Sequence, residues 1–202
     1  SGAFDSLINF SYMSKTFSST SAIDGIYSEY AGKINNDDSF NMLSYISSHD
    51  KGLSRGDMIK AGTNLLLLPG AIQIYYGDET NRKAVGSNQE QGWRSQMNWD
   101  SIDQNELDHW RKIGSFRDRH IAIGAGSHNK ISESPYTFSR VYNKNGESDK
   151  VVVSEPGRAG SCTVSVGNVF NNGDGIRDAY TGKEYTVSNG TVRVEAGDNG
   201  VV

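Results

Sequence analysis

Over the first 128 residues, apolar positions alternate between short unbroken runs and stripes at helical spacing. Residues 4–10 (FDSLINF) and 42–48 (MLSYISS) are short apolar segments that read as buried strands. Ser54 with Asp57 three residues on resembles a capping box, and Met58, Ala61, Leu65 and Leu68 follow at helix periodicity. Pro69-Gly70 stops that helix, and residues 71–76 (AIQIYY) form the next strand, closed by Gly77. Residues 106–119 make a last helix, with Leu107, Trp110, Ile113 and Phe116 recurring every three or four positions. Strand, helix, strand, helix predicts parallel strands joined by crossover helices. From about residue 130 the pattern shortens to strands at 136–142, 151–154, 162–166, 185–187 and 191–194. Asn145-Gly146, Gly173-Asp174-Gly175 and Asn189-Gly190 mark turns between them, which predicts a small antiparallel sandwich.

Composition places the boundary. All the leucines, tryptophans and histidines precede residue 129, where Val85 is the one valine; beyond it there are twelve valines and no leucine. Leucine favours helices and valine favours pleated, half-buried surface. The fold class read here is therefore α/β over residues 1–128 and all-β over residues 129–202. The longest apolar run, Leu65 to Leu68 with weak extension to Ile74, falls far short of the ~20 residues of a membrane helix. No charged-then-apolar leader opens the chain, so any export signal is expected to be removed or to lie upstream. A net charge of −4 without a lysine/arginine block argues against nucleic acid or an anionic membrane as partner. A single cysteine, Cys162, excludes an intrachain disulfide and a cysteine-based metal cluster.

In a parallel α/β sheet, reactive groups belong where strands end at their carboxyl edge. His49-Asp50 and Asp78-Glu79 both qualify, and carboxylates at strand ends are what glycoside hydrolysis needs. On spacing alone the plainer reading of Asp50 is a turn or capping carboxylate, and that of Asp78-Glu79 is a loop pair held by Arg82 or Arg94. His109, His120 and His128 lack an acidic ligand pattern and read as solvated or helix-end histidines. Asn171 to Gly175 has calcium-loop flavour without the closing glutamate of an EF-hand, so a plain turn is expected.

Three ordered blocks carry a resemblance. SYISSHD at 44–50, LLPGAIQIYYGDE at 67–79 and RSQMNW at 94–99 are similar to the α-amylase superfamily, around its seventh barrel strand, its eighth strand and the segment beyond. Ala71 and Ser48 stand where most members carry a second proline and an asparagine, which points to a subgroup. The resemblance covers residues 1–128; the remainder matches only in type, as the β-sandwich that commonly follows the barrel. It implies the last strands and helices of a (β/α)8 barrel from a retaining endo-α-1,4-glucan hydrolase acting on starch and maltodextrins. The rivals are an oligosaccharide-preferring glucosidase, cyclodextrinase or glucanotransferase of the same superfamily, and a non-catalytic carbohydrate-binding homologue.

The family's nucleophilic aspartate and acid/base glutamate belong to strands before those matched here, so the chain alone should be inactive. What the resemblance carries over is the third carboxylate, Asp50, as a transition-state stabiliser, with His49 and Trp93 as sugar-binding residues. Tyr75, Tyr76, Met97 and Trp99 are expected to pack, and Arg94 to be a structural partner of Asp78 or Glu79. The resemblance also implies calcium held mostly by residues upstream, no metal ligand in this segment, and a periplasmic or secreted location. Barrel strands without their neighbours should in addition promote self-association.

Overall fold

The computed structural model describes residues 6–13 and 19–202. Strands β1 (Leu7–Asn9), β2 (Met42–Ser44) and β3 (Ala71–Ile72) lie side by side in that order and run parallel. The alternation expected from sequence is therefore present, but the strands are shorter than the apolar runs suggested. Residues 4 and 5 of the first expected segment lie outside the described residues. Among the described residues the parallel strands form a small open sheet, not a closed barrel.

Helices fill the connections. Between β1 and β2 run α1 (Phe10–Met13) and α2 (Thr20–Asn36); α3 (Met58–Leu66) precedes β3. Helix α2 has no counterpart in the sequence reading, because Ile23, Tyr27, Tyr30 and Ala31 form its buried stripe while Ser, Gly and Asn dilute the pattern between them. Ser19 caps it by accepting from the Ala22 amide at 3.2 Å. At α3 the expected capping box is replaced by a simpler device. Asp57 is itself the N-cap, accepting from the Lys60 amide at 2.9 Å.

After β3 come α4 (Gln89–Trp93), a 3₁₀ turn (Trp99–Ser101), α5 (Gln104–Arg119) and α6 (Ile121–Ala125). Trp110 of α5 lies across Gly62 of α3, and its indole N–H donates to the Met58 carbonyl at 2.8 Å. Arg117 closes the far end of α3, donating to the Leu66 and Leu68 carbonyls at 3.0 and 2.7 Å and to that of Gly70. A cation on the terminal carbonyls of a helix answers both its unpaired acceptors and its dipole. It also anchors the chain as it enters β3.

The remainder is all strand: β4 (Ser127–Glu133), β5 (Tyr136–Lys144), β6 (Glu147–Glu155), β7 (Gly160–Ser165), β8 (Gly175–Arg177), β9 (Glu184–Thr186) and β10 (Thr191–Ala196). They pair antiparallel as β4-β5-β6, β7-β10 and β8-β9. Asn145-Gly146 turns β5 into β6 with both residues at positive φ, the geometry an Asn-Gly hairpin needs. Element type changes at Gly126, next to the expected boundary. The core does not divide there. Phe138, Val151 and Val153 share one buried cluster with Tyr27, Leu65, Trp110 and Ile123, while a second cluster of Val164, Val166, Val187, Val192 and Val194 lies among the later strands.

Candidate active site

Strand β2 delivers a tight loop. Ser48 and Gly52 exchange backbone hydrogen bonds at 2.9 and 3.3 Å, and the Ser48 hydroxyl accepts from the amides of Asp50 and Lys51. His49 and Asp50 are thereby lifted to the loop tip, where their side chains are 57% and 66% exposed. Their Nε2 and Oδ2 atoms lie 3.2 Å apart, and Arg94 places Nη2 3.3 Å from the other carboxylate oxygen. Gly52 has φ 112°, a conformation L side chains rarely adopt, and the Trp93 indole lies against it: a β-carbon there would meet the ring at 3.6 Å. His49, Asp50, Trp93 and Arg94 thus share one surface. The negative charge of Asp50 reaches Tyr45, whose phenol is pushed up by burial first and by that charge second.

The neighbouring acid has a different task. Asp78 is fully buried; Ser47 Oγ donates to it at 2.6 Å, Arg55 Nη1 at 2.7 Å and the Tyr75 amide at 3.2 Å. Burial raises its pKa despite these three donors, so loss of water outweighs the ion pair. The expected partners of Asp78, Arg82 or Arg94, are not the ones found. Arg55 holds Asp78, Arg94 turns to Asp50 and Glu90, and Glu79 accepts from the Gly77 amide. Arg82 is buried over the Tyr76 ring at 4.1 Å and donates to Ser95 Oγ at 2.7 Å and the Trp93 carbonyl at 3.0 Å. Tyr75 and Tyr76 donate to the Trp93 and Ser95 carbonyls. Asp78 therefore joins the loops after β2 and β3, and Arg82 with the two tyrosines fastens the Trp93–Arg94 segment beside them. No spacing signal marked Arg55 for this role.

Other expectations fail for identifiable reasons. Trp99 does not pack: it is 72% exposed at the start of its 3₁₀ turn. His109, inside α5, and His128, on β4, are neither solvated nor at a helix end. His109 is buried between Thr63 Oγ at 2.8 Å and the Tyr180 hydroxyl at 2.7 Å, and His128 faces Asp24 at 2.9 Å. Burial lowers both to about 4. His120 does stand at a helix end, as the C-cap of α5, half-buried against Asp149 at 3.0 Å. Asn171 to Gly175 is a turn, closed by the Asn171 amide on Asp174 at 2.9 Å.

The chain is similar to known proteins. No family model matches the chain. Periplasmic alpha-amylase of Escherichia coli (strain K12) is 42% identical over 159 residues, which is 74% of this chain and 22% of that protein. The chain belongs to the α-amylase superfamily. It spans about a fifth of the length of this curated relative. Among solved structures, an alpha-amylase from Geobacillus thermoleovorans complexed with acarbose matches with a TM-score of 0.70 and 13% identity, over 98% of this chain and 47% of that one. An Anoxybacillus alpha-amylase gives 0.63 and 16%, over 98% and 46%. At such identities the structural matches speak to fold alone. They make this chain a part of the α-amylase fold.

Proposed function

We propose that the chain is the part of a retaining α-1,4-glucan hydrolase that carries its transition-state-stabilising carboxylate, Asp50. The observation that supports this best is the exposed His49–Asp50 tip beside Trp93 and Arg94, in a chain 42% identical to a periplasmic alpha-amylase. On this reading β1 to β3 are the last three strands of a (β/α)8 barrel, residues 1–128 belong to the catalytic domain, and residues 129–202 are the β-sandwich packed on it. The relative's name also suggests a periplasmic site of action. Among the described residues, no helix is long and apolar enough to cross a membrane.

The chemistry follows from charge. An oxocarbenium-like transition state flattens the sugar ring and puts positive charge at its anomeric carbon. A carboxylate that accepts from ring hydroxyls interacts more strongly with that charge than with the neutral ground state, and differential binding of this kind lowers a barrier. His49 donates from an imidazole nitrogen to a sugar hydroxyl, and the Trp93 ring offers a flat face to the C–H groups of a glucose unit. Arg94 restrains the Asp50 carboxylate. By resemblance, the nucleophile and the acid/base match no residue of this chain, so the segment alone should hydrolyse no maltooligosaccharide. Calcium is implied by the family. Its ligands are expected mostly upstream of this segment; among the described residues no group of three or more His, Cys, Asp or Glu side chains is placed to hold a metal ion.

In the full-length protein, Asp50→Asn should leave the melting temperature unchanged, since the swap is isosteric and the site is open. It should lower kcat on starch by ~10²–10³, about 3–4 kcal/mol, the scale for one preorganised electrostatic group. His49→Ala should cost less and raise KM, because its bond to a hydroxyl also exists in the ground state. A carbohydrate-binding homologue would instead show no turnover in any form, with oligosaccharide affinity unaffected by Asp50→Asn. Near-normal hydrolysis by that variant would return Asp50 to a turn carboxylate.

A further inference from the structure

Glu155 is the last residue of β6, in alternation with the buried Val151 and Val153, and its cross-strand neighbour is the buried Tyr136. Strand alternation therefore aims its side chain at the core. It lines a cavity of about 430 Å³ together with Ile23 of α2, Lys60 and Asn64 of α3, and Asn199 and Val201 of the C-terminal segment. That segment is tied to the end of β6: Val202 and Ser154 exchange backbone hydrogen bonds at 3.0 Å, and the Gly157 amide donates to the Gly200 carbonyl at 3.2 Å. Glu155 thus stands where the strands, the two helices and the end of the chain meet. Its Oε1 atom is shielded from solvent and has no hydrogen-bond partner.

Glu155 as a whole is half-buried, and a carboxylate with one shielded oxygen that meets no donor is costly when ionised, so retaining its proton is the cheapest relief. The charged and titratable groups around it are Lys60 and the cap Asp57 from α3, Tyr27 from α2, Glu133 from β4 and Tyr136 from β5, with Asp24 and Arg140 beyond, acting on Tyr136. The C-terminal segment brings Asn199, Gly200 and Val201 to the wall, which carry no charge. Lys60 is exposed and makes no bond to Glu155, yet its charge is the one that opposes the effect of burial.

We propose that Glu155 is a proton-operated latch that joins β6 and the C-terminal segment to α2 and α3. With the carboxyl neutral the junction is closed; with it ionised, water enters the cavity and the junction loosens. Burial pushes the group from 4.5 up to about 7, against the pull of Lys60. Because the folded chain holds this proton more tightly than the unfolded one, the contribution is full below about pH 4.5 and is lost as pH rises through about 7.

The test compares the 202-residue chain with Glu155→Gln, which stays neutral at every pH. At pH 4.5 the two should melt together. At pH 8 the Gln variant should be favoured by roughly a hundredfold in its folding equilibrium, a rise of about 6–10 °C in Tm. At pH 8, amides of β6 and of residues 200–202 should exchange faster in the native chain than in the Gln variant, and equally at pH 4.5. A carbon-13 titration of the Glu155 carboxyl gives a readout independent of the variant, and Lys60→Met should move its midpoint up. Titration near 4.5, or a difference in Tm that is the same at both pH values, would overturn the latch.

Discussion

Asp50 and Asp78 leave adjacent parallel strands and meet opposite surroundings. Water reaches Asp50, so its charge is free to act on a ligand. Asp78 is sealed, and its three donors do not fully offset the loss of hydration. Such a pair contributes little net stability, but breaking it leaves a charge stranded. Asp78→Ala should therefore lower unfolding free energy in urea by about 3–5 kcal/mol. Replacing Asp78 and Arg55 together by Leu and Met should recover most of that loss. A single-variant cost under about 1 kcal/mol would mean that water reaches the pair. The two buried histidines set a second residue-scale expectation. In the unfolded chain each takes a proton near 6.5; in the folded chain each resists until about 4. Their stabilisation is therefore complete above pH 6.5 and drains away as pH falls toward 4, each worth up to about 3 kcal/mol. Melting curves from pH 8 to pH 4 should show this slope, and His109→Gln and His128→Gln should each flatten it. Over part of the same window Glu155 pulls the other way, so only the comparison with its own Gln variant isolates it.

At the scale of elements, the contact between α3 and α5 decides how the helices stack. A β-carbon on Gly62 would lie 2.5 Å from the Trp110 indole nitrogen, which is already committed to the Met58 carbonyl. In an open helix, Gly→Ala gains about 1 kcal/mol. Here overpacking should reverse the sign, and Gly62→Ala should cost about 1–3 kcal/mol. A stabilised variant in chemical denaturation would show that the indole has room to move. These two helices were legible in the sequence because their apolar stripes are dense and close with Pro-Gly or open with an acidic cap. Helix α2 was not, since Gly25, Gly32 and its serines and asparagines blur a stripe that tertiary contacts complete, such as the Tyr27 hydroxyl on the Asn64 carbonyl at 3.1 Å. Strand β4 was missed for a related reason. It is an edge strand with a mostly polar sequence, and pairing with β5 defines it rather than burial. The same limit held at the site. The His49–Asp50 tip could be read from strand-end position and motif, whereas Arg55 and the burial of His109 depend on chain segments far apart in sequence.

For the whole molecule, the change from leucine to valine marks a change of element type but not a break in the core. Cutting near His128 would bare Tyr136, Phe138, Val151 and Val153, and would strip the buried Arg140 guanidinium of the Ile123 carbonyl it donates to. A piece covering residues 128–202 should therefore give a β-type circular dichroism spectrum yet melt well below the whole chain; equal melting temperatures would mean that the shared cluster adds nothing. The opposite end poses the question of assembly. Among the described residues, β1 and β3 each pair with β2 alone, and Leu7, Ile8 and Phe10 are more than half exposed, with Ile74 close behind. Open strand edges beside exposed apolar side chains are a template for pairing with another chain. The 202-residue chain should accordingly show a mass that rises with concentration in light scattering. Ile8→Lys and Phe10→Glu should suppress that rise while leaving the melting temperature of the dilute protein nearly unchanged, because neither side chain belongs to the buried clusters. A mass fixed at one chain across the concentration range would show that this surface tolerates water as it stands.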